Sequence, residues 1–249
     1  MTDNQKEQHQ QLNYPKSIQV KGTDSEGTIV YKNLNELWSK ELVNDNNNDL
    51  KWYTSAADYW KSVDATVDGM LGGLSYVSDT DVECSNKFIT EMTSLGRGRA
   101  LDCGAGIGRV TQHLLLPLFE KVDLLEQNPL FLDEAKIIFK DEKRVVNYFA
   151  VGLQDFDFKD KNNGEPIKYD YNIAKKGFIM DKQDSSVTRT DEHLRYLFSQ
   201  ADATVTKSIL QPNFPKSLFP VRLYAINSTP TTTSTSETST TTTSETSNV

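Results

Sequence analysis

A glycine-rich stretch followed by a distant acid is the part of this sequence that points most directly to chemistry. Leu101–Arg109 reads LDCGAGIGR, between an apolar run and a predicted helix. Glycines let a ligand approach the main chain, and a helix start offers free N–H groups. Glu126 follows Gly108 by 18 positions, at the end of the next predicted strand. An acid there accepts hydrogen bonds from both hydroxyls of a ribose, so these residues predict a nucleoside site.

Three alternatives to that interpretation concern the same stretch. A tight strand-to-helix turn needs glycines without any ligand. A nicotinamide dinucleotide site has the pattern G-x-G-x-x-G. The stretch from Asp102 to Gly108 is instead D-x-G-x-G-x-G, which resembles motif I of class I methyltransferases. No G-K-[ST] follows the glycines, which excludes a P-loop.

The elements that must position these residues alternate between strand and helix. Strands are predicted at Ala100–Cys103, Val122–Glu126 and Val145–Val151, and helices at Val110–Leu115 and Leu130–Phe139, the second capped by Asn128. This order requires a parallel sheet with right-handed crossovers.

Further elements are predicted on both sides of this unit. Helices are expected at Tyr31–Val43, Trp52–Val63, from Thr80 or Asp81 to Met92, and at Asp191–Gln200, and antiparallel strands at Thr204–Ile209 and Val221–Ile226. The stretch 157–171 is polar, and 172–189 is expected to be a loop.

Composition limits the classes of partner. The net charge is −8 and no broad basic patch is present, which argues against a nucleic-acid surface. Two cysteines do not make a disulfide framework, and no apolar run reaches membrane-spanning length. We therefore expect a cytoplasmic or nuclear protein without direct nucleic-acid or membrane partners. We expect 1–50 to be a mostly disordered extension, 51–227 the catalytic domain, and 228–249 a disordered Ser/Thr-rich tail.

Several longer segments narrow the resemblance. They read DYWKSVDATVDGMLGGLSY (58–76), LDCGAGIGRVTQHLLLPLF (101–119), NYFAVGLQDF (147–156), DKQDSSVTR (181–189) and LFPVRLY (218–224). Together they resemble the protein N-terminal methyltransferases that recognise Xaa-Pro-Lys termini and use S-adenosylmethionine (AdoMet). The resemblance implies an α/β fold with a Rossmann-like class I methyltransferase sheet.

The resemblance also implies a role for individual residues. The cofactor would be bound by Gly104, Arg109, Glu126, Gln127, Asn128, Leu153 and Gln154, with Arg109 at the methionine carboxylate. The peptide would be bound by Trp60, Asn172, Asp181, Asp184 and Ser186. Asp184 is the candidate to receive the proton of the substrate amine.

Each of the peptide-site residues also has a plainer interpretation. Trp60 is of a type that is commonly buried in a core, and Asp181 and Asp184 are common turn formers. The three histidines, His9, His113 and His193, have no partner at metal-ligand spacing, so no metal is expected.

One part of the family pattern is missing. Between Asp170 and Asn172 the family carries a fourth strand, a helix and a fifth strand, a block of roughly 35–40 residues; here only Tyr171 separates them. The sheet is therefore expected to be incomplete, with the first strand deprived of its neighbour. Either a gene model has skipped coding sequence, or the chain is a truncated, non-catalytic relative of the family.

Overall fold

A four-stranded parallel sheet forms the centre of the molecule. The computed structural model describes residues 15, 21–43, 49–159, 171–173, 180–181 and 186–228. The central strands are β3 (Arg99–Cys103), β4 (Lys121–Glu126), β5 (Val145–Ala150) and β6 (Tyr171–Ile173), in the order β5-β4-β3-β6. All neighbouring pairs are parallel, which confirms the predicted sheet.

Helices flank this sheet and precede it. They are α1 (Leu34–Val43), α2 (Asp49–Lys61), α3 (Val67–Met70), α4 (Ser78–Thr90), α5 (Leu116–Leu118), α6 (Pro129–Ile138) and α7 (Asp191–Gln200). The predicted helix after the glycine loop is present, but Thr111–Leu115 is a π-helical turn that leads into α5. Asn128 caps α6 as predicted. Helix α4 begins earlier than expected, so Asp81 lies inside it instead of capping it.

Apolar side chains cover both faces of the sheet. Ala100, Val122 and Leu124 pack in the larger cluster with the helices, and Leu101 and Leu125 face the other side with Phe149. Alternate residues of a strand point to opposite faces, and a parallel sheet is buried on both. Leu101, Leu125 and Phe149 are buried on this second face, and the partly buried Cys103, Val151 and Phe156 pack against them.

The expectation that β3 loses its neighbour is wrong. The backbone of Tyr171–Ile173 pairs with Ala100–Asp102, so β6 stands beside β3. The expected loop 172–189 also contains β7 (Met180–Asp181) and β8 (Ser186–Val187), which pair antiparallel. Strands of two or three residues are too short to show an alternating pattern in the sequence.

The last two strands form a separate sheet, as expected. β9 (Ala203–Leu210) and β10 (Arg222–Ser228) are antiparallel, and neither is paired with a described strand of the central sheet. The pair still packs on the main core, because Ala225 is buried there and Lys207 Nζ donates to Phe88 O at 3.1 Å. The predicted incomplete sheet is thus present, with its break between β6 and the β9–β10 pair.

The described part of the N-terminal region is folded, and the helix predicted at Tyr31–Val43 is present as α1 (Leu34–Val43). β1 (Gly22–Thr23) and β2 (Val30–Tyr31) form a hairpin that leads into α1. Tyr31, Leu34 and Leu37 are buried together with Val187. Segment 21–43, hereafter the N-terminal clasp, is therefore packed by residues about 150 positions away, which local composition does not reveal. The domain boundaries at 50/51 and 227/228 stay predictions. No helix in the described part of the chain is long and apolar enough to cross a membrane.

Candidate active site

The glycine loop lies at the carboxyl ends of β3 and β4. The backbone N–H groups of Gly104 and Ala105 both donate to Leu125 O, at 2.8 and 3.1 Å, which holds the loop against the end of β4. Gly104 has φ 71°, and a Cβ built on it meets nothing within 4 Å. The positive φ explains the glycine, and the open space leaves the main chain accessible to a ligand.

Glu126 joins the glycine loop to the segment that follows β4. Its side chain is buried, and its two carboxylate oxygens accept hydrogen bonds from Gly106 N at 3.0 Å and Asn128 N at 2.8 Å. A carboxylate offers about four acceptor sites, so these two bonds leave capacity for ribose hydroxyls. The acid predicted for a nucleoside is therefore at the predicted place and in a fixed orientation.

Arg109 is a buried cation behind the loop, and its partners come from α4. Its Nη2 donates to Asp81 Oδ2 at 2.7 Å and its Nη1 to Ser78 Oγ at 3.2 Å. A guanidinium has five N–H donors, so these contacts use two of them. Asp81 was missed as a partner of Arg109, since nothing in a separation of 28 residues indicates an ion pair.

Met70 is a second residue that the sequence did not single out. A Cβ built on Gly106 lies 2.8 Å from Met70 Sδ, so the thioether rests directly on the glycine loop. Met70 ends α3, whose start is capped by Thr66 through a 3.0 Å hydrogen bond from Gly69 N. Met70, within the segment DGMLGG, therefore packs against the glycine loop.

Trp60 is brought to this edge of the sheet through its backbone. Asn128 Nδ2 donates to Trp60 O at 3.0 Å, and the Asn128 side chain is buried. Trp60 is half-buried, and its ring lies edge-on to that of Tyr59, with 5.2 Å between the ring centroids. The structure thus brings together Gly104, Glu126, Asn128 and Trp60.

The other predicted cofactor residues follow the ends of β4 and β5. Gln127 is half-buried between Glu126 and Asn128. Leu153 is 47% exposed in the short helical turn Leu153–Asp155 after β5. Gln154 belongs to that turn, but its side chain lies outside the described residues.

The predicted peptide residues in the C-terminal half are placed by backbone alone. Asn172 is paired with Leu101 in β6, and Asp181 is paired with Ser186 in the β7–β8 hairpin. Their side chains, and Asp184 altogether, lie outside the described residues. Their roles in substrate binding stay predictions.

Cys103, at the end of β3, and His193, in α7, have displaced pKa values. Burial, with a smaller effect from Asp102, raises the pKa of the Cys103 thiol to about 12, so it stays protonated at neutral pH. Burial, and then the charge of Arg189, lowers the pKa of His193 to about 4, so this imidazole is neutral. No group of three His, Cys, Asp or Glu side chains in the described ranges could hold a metal ion.

A surface cavity of about 600 Å³ lies along α4. Val82, Glu83, Asn86 and His113 are among the residues that line it. None of the predicted site residues lines this cavity, but Ser78, which accepts a hydrogen bond from Arg109, does.

The residues at the glycine-loop edge fit AdoMet. An open glycine backbone, a buried carboxylate with spare acceptor capacity and a buried guanidinium with spare donors match the nucleoside and carboxylate parts of that molecule. The fit concerns the cofactor half of the site, which β3, β4 and α6 position.

Known proteins are similar to this chain over most of its length. A family described as AdoMet dependent proline di-methyltransferase matches residues 48–170 and, separately, 161–227. Alpha N-terminal protein methyltransferase 1 of Dictyostelium discoideum is 48% identical over 91% of this chain and 99% of its own length. N-terminal Xaa-Pro-Lys N-methyltransferase 1-B of Xenopus laevis is 36% identical over 76% of this chain and 99% of its own.

A solved structure has the same fold. A SAM-dependent methyltransferase of Leishmania major is 32% identical, with a TM-score of 0.76 over 84% of this chain and 97% of its own.

The Dictyostelium alignment also bears on the missing block. It runs over 268 residues, although 91% of this 249-residue chain is only about 227. About 40 positions of that alignment therefore have no residue of this chain. The two family matches overlap at 161–170, next to Tyr171, where the family pattern is interrupted.

Proposed function

Since the chain belongs to the AdoMet-dependent proline di-methyltransferase family, we propose that it methylates the α-amino group of proteins whose N-termini begin Xaa-Pro-Lys. The chain is a methyltransferase with a Rossmann-like fold, and AdoMet is its cofactor. The observation that supports the proposal best is the hydrogen-bonded series from Gly106 through Glu126 and Asn128 to Trp60. It brings the cofactor edge and a residue predicted to bind peptide into one site.

The reaction is an in-line displacement by a neutral amine. AdoMet supplies an electrophilic methyl group when bound. A peptide α-amine has a pKa of about 7.7–8.0, against about 10.4 for a lysine side chain, so deprotonating it near pH 7 needs only a mild base. Asp184 is proposed to receive that proton directly or through water, which leaves the nitrogen lone pair free to attack.

Alignment of the amine is the larger contribution of the protein. Holding the nucleophile in line with the group to be transferred contributes several kcal/mol to catalysis. Trp60 is proposed to hold the peptide, and Asp181 and Asp184 to attract the lysine at its third position. The net charge of −8 favours such a cationic substrate.

The cellular setting is part of the proposal. Cys84 and Cys103 are free thiols, as expected of a protein from a reducing compartment. We place the protein in the cytoplasm, the nucleus or both, without direct nucleic-acid binding.

Cofactor titration and methyl transfer to a Ser-Pro-Lys peptide test the function. We expect AdoMet to bind and the peptide to be methylated, and Asp184→Asn to lower kcat at least ~100-fold with AdoMet affinity unchanged. Asp202→Asn, an exposed aspartate in the turn after α7, is the matched control. Absence of AdoMet binding would overturn the proposal, and binding without transfer would identify a non-catalytic relative.

A further inference from the structure

A single side chain satisfies the ends of two helices that belong to different parts of the molecule. Asn128 Oδ1 accepts a hydrogen bond from Leu130 N at 3.1 Å, at the start of α6. Its Nδ2 donates to Trp60 O at 3.0 Å, one residue before the end of α2. The first N–H groups and the last carbonyls of a helix have no partner within the helix. Asn128 therefore caps α6 and α2 at once.

The residue type matters for this double contact. Asn, Asp, Ser and Thr are all good N-caps, because each has a side-chain oxygen that accepts from the helix start. Of these four, only Asn also carries an amide NH2 that donates from the same side chain. An aspartate at 128 would keep the α6 cap and lose the bond to Trp60, and a serine is too short to reach.

The described part of α2 is not fixed by a buried apolar face. None of residues 53–61 is buried, and Tyr53 is 44% exposed. Apolar burial, which usually fixes a helix on its neighbours, contributes little over these residues. Trp60 O also accepts a longer hydrogen bond from Val63 N at 3.4 Å, which is local, whereas the bond from Asn128 joins the last turn of α2 to the cofactor edge.

We propose that Asn128 is a positioning residue for the peptide substrate. Asn128 fixes the place of Trp60, and Trp60 in turn holds the peptide. Its backbone N–H is already fixed by Glu126 Oε1, so the place of Trp60 is set relative to the cofactor edge. The inference rests on the proposed function in that Trp60 is taken to hold the peptide. This role is separate from cofactor binding, because the group that the Asn128 side chain holds is the last turn of α2.

Hydrogen exchange of the α2 amides and steady-state kinetics test this role together. Asn128→Ser keeps an oxygen for the α6 cap, and Asn128→Ala removes both contacts. In both variants we expect amide exchange over 53–61 to be at least ~5-fold faster. Peptide KM should rise about 5–10-fold, a larger factor than any change in the AdoMet dissociation constant. Exchange over α6 should increase only in Asn128→Ala.

Asn147→Ser is the matched control for these variants. Asn147 Nδ2 donates to Asp123 Oδ1 at 3.1 Å, away from α2, so its loss should leave exchange over 53–61 as in the unaltered protein. Unchanged exchange over 53–61 in Asn128→Ser, or AdoMet affinity that falls as far as peptide affinity, would overturn the inference. If the unaltered protein transfers no methyl group, the proposed function fails, and the exchange data alone still decide whether Asn128 positions α2.

Discussion

At the scale of single residues, the positions of the glycine loop, the acid at the strand end and the helix cap could be predicted from the sequence, and the contacts between them could not. Their roles in cofactor binding stay predictions. Gly104, Glu126 and Asn128 are recognisable because strand ends, glycines and helix caps follow local rules. Asp81 and Met70 were not found, although they contact Arg109 and the glycine loop. These contacts join distant segments, and their residue types are ordinary for a helix.

Glu126 gives a direct test of the cofactor half. In Glu126→Gln the neutral amide is a weaker acceptor, so we expect AdoMet to bind about 10–100-fold more weakly, as measured by isothermal titration calorimetry. Glu120→Gln, the same change at an exposed position before β4, should leave affinity unchanged. Equal affinity in the two variants would remove Glu126 from the site.

His193 makes stability depend on pH. Its pKa is lowered to about 4 by burial and by Arg189, whereas in the unfolded chain it is about 6.5. The unfolded state therefore takes up a proton first as the pH falls. We expect His193 to have little effect on the free energy of unfolding well above pH 6.5, and to lower it by about 3 kcal/mol as the pH falls to 4.

Urea unfolding at several pH values measures this effect. His193→Leu should lose that part of the pH dependence, and His113→Gln, at an exposed histidine, should keep it. Identical pH profiles for all three proteins would contradict the assignment.

At the scale of elements, long periodic segments were predictable and short ones were not. Helix α7 and the strands β9 and β10 lie where they were expected. The strands β6, β7 and β8 have two or three residues each, which is too few for a pattern. The start of α4 was misplaced because its N-terminal residue carries no side-chain cap that could mark it.

Gly108 tests how closely the glycine loop packs on the helix that follows β4. It has φ 89°, and a Cβ built on it would overlap the Phe139 ring. Gly108→Ala should combine backbone strain with overpacking and lower the free energy of unfolding by about 3 kcal/mol. Gly104 has a similar φ, but a Cβ built on it meets open space. Gly104→Ala should therefore lower the free energy of unfolding by only about 1 kcal/mol. Thermal and urea unfolding compare the two, and equal losses would contradict the packing argument.

At the scale of the whole molecule, the break between the central sheet and the β9–β10 pair is the feature that the sequence predicted best. The family pattern stops and resumes around 161–170, and about 40 alignment positions have no counterpart here. β6 occupies the place beside β3 with only three residues. The helix of the N-terminal clasp was predicted, but its packing was not, because Val187, which helps to bury it, lies near the other end of the domain.

Restoring the missing block tests this view of the molecule. Inserting between Asp170 and Asn172 the residues that the Dictyostelium relative has there should complete the sheet. We expect the free energy of unfolding to rise by several kcal/mol and the denaturant m-value to increase, because more surface is buried. Peptide methylation should increase in parallel. An unchanged midpoint and m-value would show that the shorter sheet is already a complete cooperative unit.

The N-terminal clasp has a consequence for biosynthesis. Tyr31, Leu34 and Leu37 leave the ribosome early, yet Val187, against which they pack, is made about 150 residues later. At about 5–20 residues per second, that interval lasts roughly 8–30 seconds. During this time the three apolar side chains are without their final partner and are open to chaperones or to neighbouring nascent chains. We therefore expect the speed of translation to affect the fraction of nascent chains that reach the folded state.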